Sequence, residues 1–265
     1  MYQVILCFAA WLCLFGTVDA AEPTGLQIMT SVDQREDGDT LQQHMKQILI
    51  DRNGRERVRQ MMSFRKDVGV DKKMISFFLE PANIRDTALL TFDYDNEKTD
   101  DDQWLYLPAL KKVRRISASD RGDYFMGTDF SFEDMKQTPE LTDYSWKLLG
   151  SDVLNGHDCW KVQGEPASQS LGQELGYSKI IQYVRKTSAV VVRVDYWDLA
   201  QRPLKTMRML ELKEIQGIWT PLKIEMVNAQ SSHETVIELS DHVYNGDIAD
   251  KKFSQRSLKR GYRGH

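Results

Sequence analysis

From residue 41 to residue 243 the chain is a succession of short segments that alternate apolar and charged residues, each closed by Gly, Pro, Asn, Gln or Ser. A period of two puts alternate side chains on opposite faces of a strand, so these segments read as β-strands. In the first half they fall at residues 41–51, 55–65, 73–80, 88–94, 103–107 and 112–116. Asn53-Gly54 between the first two is a strong short-range hairpin signal. The second half repeats the habit at 145–152, 158–165, 179–185, 189–197, 204–214, 219–227 and 234–243, with turns at Asn155-Gly156, Thr187-Ser188, Gln216-Gly217 and Gln230-Ser231-Ser232. Ten or more consecutive strands joined by short turns indicate an antiparallel meander, sandwich or barrel. Helix signals are few: a turn or two around Leu26, Ile28 and Met29, then 130–136, 168–175 and a basic piece at 251–260.

Residues 4–15 are an uninterrupted apolar run of secretory length, followed by small residues and an A-x-A-like site. This predicts a signal peptide over residues 1–20, cleaved after Ala20 or Ala21, and one domain over 21–265. The run is shorter than the ~20 residues that span a bilayer, which places the mature chain in the periplasm. Cys7 and Cys13 leave with the signal, so only Cys159 remains and no internal disulfide can form. Stability must come from a core, for which about 245 residues suffice. The formal charge of −4 becomes −3 without Asp19. That gives no reason to expect nucleic acid, which favours a basic surface.

The alternation sorts residues by face. Ile75, Phe77 and Leu79 share one, as do Val190, Val192, Val194 and Tyr196; Trp104 goes with Tyr106, Met207 with Met209, and Leu222 with Ile224 and Met226. A one-sided apolar sheet must be covered, and the helices are few and short. A curved sheet capped by them leaves room for an apolar guest, although a closed core has the same pattern. Methionines such as Met61, Met74, Met126, Met207 and Met209 would suit ligands of variable shape.

Motifs for catalysis are weak. His157 and Cys159 share a strand face, but no orienting third group is evident. Asp93, Asp95, Glu97, Asp100, Asp101 and Asp102 lack the glycine and terminal Glu of a calcium loop. The other histidines, His44, His233, His242 and His265, have no metal-ligand spacing. No Gly-x-Ser-x-Gly or Walker sequence occurs. No enzyme activity, metal or cofactor is expected.

The most distinctive stretch is Trp104-Leu105-Tyr106-Leu107-Pro108-Ala109-Leu110-Lys111-Lys112-Val113-Arg114-Arg115-Ile116, followed by Tyr124-Phe125-Met126-Gly127-Thr128-Asp129-Phe130-Ser131-Phe132-Glu133-Asp134. With Phe78-Leu79-Glu80-Pro81 and Trp219-Thr220-Pro221, it resembles the outer-membrane lipoprotein-sorting family, the LolA-like proteins of the branch associated with RND-type exporters. The resemblance implies a mainly β fold with few short helices, namely a half-open antiparallel β-barrel of about 10–11 strands with a helical lid. It also implies an apolar cavity for acyl chains of lipid or lipoprotein, and an inner-membrane RND-type exporter as partner. Contact with membranes is then transient, and the oligomeric state stays open. Candidate cavity and lid residues are Phe77, Leu79, Trp104, Tyr106, Phe125, Met126, Phe130, Met207 and Met209. Arg114, Arg115, Asp129 and Asp134 form a candidate polar rim. Asp129 is placed to cap a helix beginning at Phe130, and the two arginines to pair with Asp129 or Asp134 or to meet a headgroup. The expected function is a carrier between inner and outer membrane. A lipid-sensing module acting through a protein partner is the alternative, and a lipid hydrolase using Cys159 and His157 a distant third.

Overall fold

The structure, a computed structural model, describes residues 22–96, 99–136 and 140–263; the apolar run at 4–15 and its cleavage site lie outside them. A first helix, α1 (Gly25–Asp33), is closed at its start by a capping box. Thr24 Oγ1 accepts the Gln27 N–H, and Gln27 Oε1 accepts the Thr24 N–H at 2.8 Å. Thirteen strands follow: β1 (Thr40–Ile50), β2 (Glu56–Val68), β3 (Asp71–Glu80), β4 (Ala88–Asp93), β5 (Asp102–Leu107), β6 (Lys112–Ile116), β7 (Tyr144–Leu154), β8 (His157–Pro166), β9 (Lys179–Arg185), β10 (Val191–Trp197), β11 (Pro203–Ile215), β12 (Ile218–Asn228) and β13 (His233–Tyr244). Helix α2 (Gln169–Leu175) joins β8 to β9, and α3 (Gln255–Arg260) follows β13.

All thirteen strands form one antiparallel sheet in the order β6-β5-β4-β3-β2-β1-β13-β12-β11-β10-β9-β8-β7. The count matches the thirteen alternating segments of the sequence and exceeds the 10–11 strands that the resemblance implies. The chain starts at the centre, meanders out to β6, and jumps to the opposite edge β7. It then meanders back until β13 pairs with β1, Met45 facing Leu239. The sheet is curved but not closed, a half-open barrel. The jump, described at residues 117–136 and 140–143, therefore runs from one free edge to the other and becomes the lid.

Inside the curve lies the main core, with Met61, Phe78, Phe125, Phe132, Tyr177, Val194, Met226 and Ile237 among its members. A second core covers the outer face of β2 to β6. There Phe64, Ile75, Phe77 and Leu90 meet Ile248, Phe253 and Leu258 of the C-terminal segment. Helix α1 places Ile28, Met29 and Val32 on Val162 and Val184. It approaches so closely that a Cβ at Gly25 would stand 2.7 Å from the Lys147 nitrogen, which explains the glycine there.

Three expectations need correcting. The helix expected at 130–136 is a single 3₁₀ turn, Glu133–Met135, after a bridge between Tyr124 and Ser131. The basic helix expected at 251–260 divides into a 3₁₀ turn, Asp250–Lys252, and α3, whose Leu258 is fully buried against the outer face. Val192 does not share a face with Val194, because the ladder slips between Val191 and Arg193. Val191 takes the inward place instead, and Val192 packs outward near Cys159.

Candidate functional site

The concave face encloses a cavity of about 300 Å³, at the lower end of the ~300–1,000 Å³ typical of small-molecule sites. Its middle is apolar, built from Met45, Ile180, Val194, Met207, Met209, Ile224, Ile237 and Leu239. The inward parity of β1, β9, β10, β11, β12 and β13 puts these side chains together. Serines soften one wall: Ser76 Oγ donates to Ser63 Oγ at 3.0 Å.

One end is closed by the edge-to-edge crossover and carries buried charge. Lys205 sits between Tyr124, Tyr177 and Tyr196, its Nζ 5.1–5.3 Å from their ring centres. It donates to Asp134 at 2.5 Å and to the Asp129 carbonyl at 2.9 Å. Asp134 also accepts from the Tyr177 hydroxyl and from the Ser131 N–H. Burial raises the pKa of Tyr144, Tyr177 and Tyr196 well above the usual tyrosine value, with nearby acids including Asp134 adding to it; the Tyr177 hydroxyl thus stays protonated and donates to Asp134. The crossover is tied down at three further points. His233 Nδ1 and Thr235 Oγ1 both reach Asp129 Oδ2, at 2.6 and 2.7 Å. Arg59 donates to the Met126 carbonyl at 2.9 Å, and Met126 holds a left-handed φ of 49°. Gln103 donates to the Phe132 carbonyl at 3.1 Å.

Behind this lid lies an acidic cluster. Carboxylate oxygens of Asp93, Asp101 and Glu140 come within 4.8 Å of one another. Burial, reinforced by Asp101, pushes Asp93 up to about 6. Burial pushes Glu140 up to about 8, the neighbouring Asp93 and Asp101 adding to it and Lys136 opposing it. Lys136 pairs with Asp101 and, at 3.1 Å, with Glu133. Burial works against its charge, but these carboxylates outweigh burial and raise its pKa. The ammonium thus supplies the countercharge that a cation would otherwise bring.

The opposite end lies between the α1–β1 connection and the β11–β12 hairpin. Arg35, Asp37, Leu41, Arg65, Trp219, Thr220 and Tyr244 line it. Arg65 pairs with Asp37 at 2.9 Å and Asp67 at 3.2 Å and donates to the carbonyls of Asp37 and Gly38, its Nε alone being buried without an acceptor.

Of the sequence-selected residues, Phe130, Met207 and Met209 line this cavity. Phe125 and Met126 lie under and in the lid, against the inner core. Phe77, Trp104 and Tyr106 belong to the outer cluster under the C-terminal segment. Leu79, at Phe77's parity on β3, is also absent from the cavity wall. Both faces of this half of the sheet are apolar, so the greasier parity on β3 marked the outer core, whereas Met74 and Ser76 face the cavity. The expected rim pairing is also corrected. Arg114 holds Asp120 at 2.7 Å and Arg115 holds Asp102 at 2.6 Å, both at the surface. Asp129 and Asp134 instead serve His233 and Lys205, and Asp129 caps no helix. Lys205 was legible in one respect: it shares parity with Met207 and Met209, an unexpected charge on an apolar face.

Cysteine 159 is buried on the outer side, where burial raises its thiol pKa and disfavours the reactive thiolate. The His157 ring, exposed, meets Arg185.

A curved, unclosed antiparallel sheet around an apolar cavity, covered by its edge-to-edge crossover, defines the class of half-open β-barrels. A family model described as an uncharacterized protein matches residues 70–260. Two solved structures align over nearly their whole length. A DUF1329 family protein from Desulfovibrio piger is 29% identical, with a TM-score of 0.82, over 88% of this chain and 97% of that one. A domain assigned to the outer membrane lipoprotein-sorting proteins, from Vibrio parahaemolyticus, is 28% identical with a TM-score of 0.82, over 89% and 98%. A LolA superfamily protein from Nitrosomonas europaea, 21% identical with a TM-score of 0.68, shares the fold over 89% of this chain and 100% of its own. No curated protein matches the chain. The chain belongs to the family whose model it matches, a LolA-like family. Among the described residues no helix is long and apolar enough to cross a membrane.

Proposed function

We propose that this protein is a periplasmic carrier that takes an acyl chain of a lipid or lipoprotein into its cavity and moves it between the inner and outer membranes. The observation that carries the reading is the cavity itself, an apolar space of about 300 Å³ on the concave face of an unclosed barrel. Each buried methylene gains about 0.8 kcal/mol, so a cavity of this kind competes with a bilayer for a single chain. An RND-type inner-membrane exporter, as the family resemblance implies, would be the donor. The crossover is held by a few polar ties rather than by covalent closure, which suits a carrier that must open to load.

Met209 is the place to test it, because this lining side chain is only half-buried and a polar substitution there spares the fold. Met209→Asp is expected to weaken binding of a fluorescent C16 fatty acid at least tenfold with an unchanged unfolding midpoint. Undiminished binding would remove the cavity as the carrier site.

A further inference from the structure

The outer end of the cavity holds a guanidinium that forms no ion pair among the described residues, the carboxylate that attracts it most, Asp37, being engaged by Arg65 and Lys72. Arg35 lines the cavity and is half-buried. Its Nη1 donates only to backbone carbonyls, of Glu36 at 3.2 Å and Trp219 at 3.4 Å, and its Nε is buried without an acceptor. Among the described residues no carboxylate forms an ion pair with it, whereas the neighbouring acids are engaged. Asp37 is held by Arg65 at 2.9 Å and by Lys72 at 3.2 Å, and Asp67 by Arg65. Exposed Glu36 turns one oxygen back to the Gly38 N–H at 2.9 Å. Of the three cations Arg35, Arg65 and Lys72 around the carboxylates of Asp37 and Asp67, Arg65 and Lys72 take the ion pairs, and Arg35, on the cavity wall beside Arg65, is the one left over.

Withdrawing a charge from water without a partner is costly, and such a group is retained most readily where a ligand supplies the partner. The planar guanidinium fork matches a carboxylate or a phosphate with two parallel hydrogen bonds. From this end the wall continues through Leu41, Met74 and Ile218 into the apolar middle. The register fixes the depth. Leu41 pairs with both Arg65 and Tyr244, whereas Met45, four residues further along β1, faces Met61 and Leu239. Head and tail environments thus lie along one cavity.

We propose that Arg35 receives the carboxylate or phosphate of a single-chain anionic amphiphile whose acyl chain fills the cavity. This rests on the carrier reading above and names the class of its cargo.

The test measures equilibrium binding of dodecanoate, dodecyl phosphate and dodecanol to the folded protein, the anions below their micelle concentrations and the alcohol below its solubility limit. The two anions are expected to bind about tenfold more tightly than the alcohol, the scale of one charge-assisted hydrogen-bonded contact. Arg35→Gln should erase that difference while leaving dodecanol binding unchanged, and Arg35→Lys should restore part of it. Equal affinity of all three ligands for the unsubstituted protein would overturn the headgroup assignment alone. Loss of dodecanol binding in Arg35→Gln would give Arg35 a purely structural role and overturn it too. Inorganic phosphate displacing as effectively as dodecyl phosphate would mean a free-anion site and defeat the amphiphile. Absence of binding by any of the three would overturn the carrier reading and the headgroup with it.

Discussion

Replacing Lys205 by Met removes one half of an ion pair that has almost no solvent to fall back on: the lysine side chain is 0% exposed and that of Asp134 6%. Breaking such a pair from one side costs about 3–5 kcal/mol, because the other charge stays buried. Asp134 keeps the Ser131 N–H and the Tyr177 hydroxyl, which favours the lower part of that range. The Asp129 carbonyl also loses its Lys205 donor, at about 1 kcal/mol. A loss of about 3–4 kcal/mol follows, measured by denaturant unfolding with an unchanged slope. Asp134→Asn strands the lysine instead and should cost a similar amount. The double variant removes both charges, and its loss should fall short of the sum of the two by about 2 kcal/mol. Because Asp134 belongs to the crossover and Lys205 to β11, the single variants should also be cut faster by protease within residues 117–143. A loss below about 1 kcal/mol, or two losses that simply add, would refute the claim that this pair holds the crossover onto the sheet.

Phe77→Ala should cost about 3–5 kcal/mol of stability yet leave fatty-acid affinity unchanged, since Phe77 faces the outer core; a loss of affinity at normal stability would reverse that placement. Leu258→Ala should cost about 2–5 kcal/mol, read by thermal unfolding, and no loss would mean that α3 does not cover the outer face. Asp93 and Glu140, raised to about 6 and about 8 mainly by burial, bind protons more tightly folded than unfolded. Their contribution is therefore full below about pH 4 and declines as pH rises toward 8. Glu140→Gln should flatten the decline seen in denaturant titrations, and an unchanged slope would contradict it. Arg115→Ala breaks only a surface pair and should change stability by less than about 1 kcal/mol.

Strand positions were readable because a two-residue period with turn residues at its breaks needs nothing beyond local geometry. Asn53-Gly54 places the first hairpin where it is found, Gly54 taking a φ of 75°. Which face became the cavity was not readable from alternation alone. Ile75 and Phe77 make the greasier parity of β3, but the C-terminal segment, Ile248 to Leu258, far along the chain, covers that parity. The slip between Val191 and Arg193 likewise exchanged Val192 for Val191 without a Gly or Pro to mark it. Charge partners were the least legible. Arg114 and Arg115 lie nearer in sequence to Asp129 and Asp134 than Lys205 does, yet the fold brings Lys205 to Asp134 across 71 positions. The crossover motif was read as a lid from family resemblance, and sheet order supplies its physical reason: it is the single connection between the two edges β6 and β7.

The central claim is that the concave cavity carries an acyl chain, and native mass spectrometry of protein purified from the cells that make it tests this most directly. The account predicts a discrete added mass that extracts into organic solvent and that Met209→Asp abolishes. A bare protein mass, together with no uptake of added fatty acid, would contradict it.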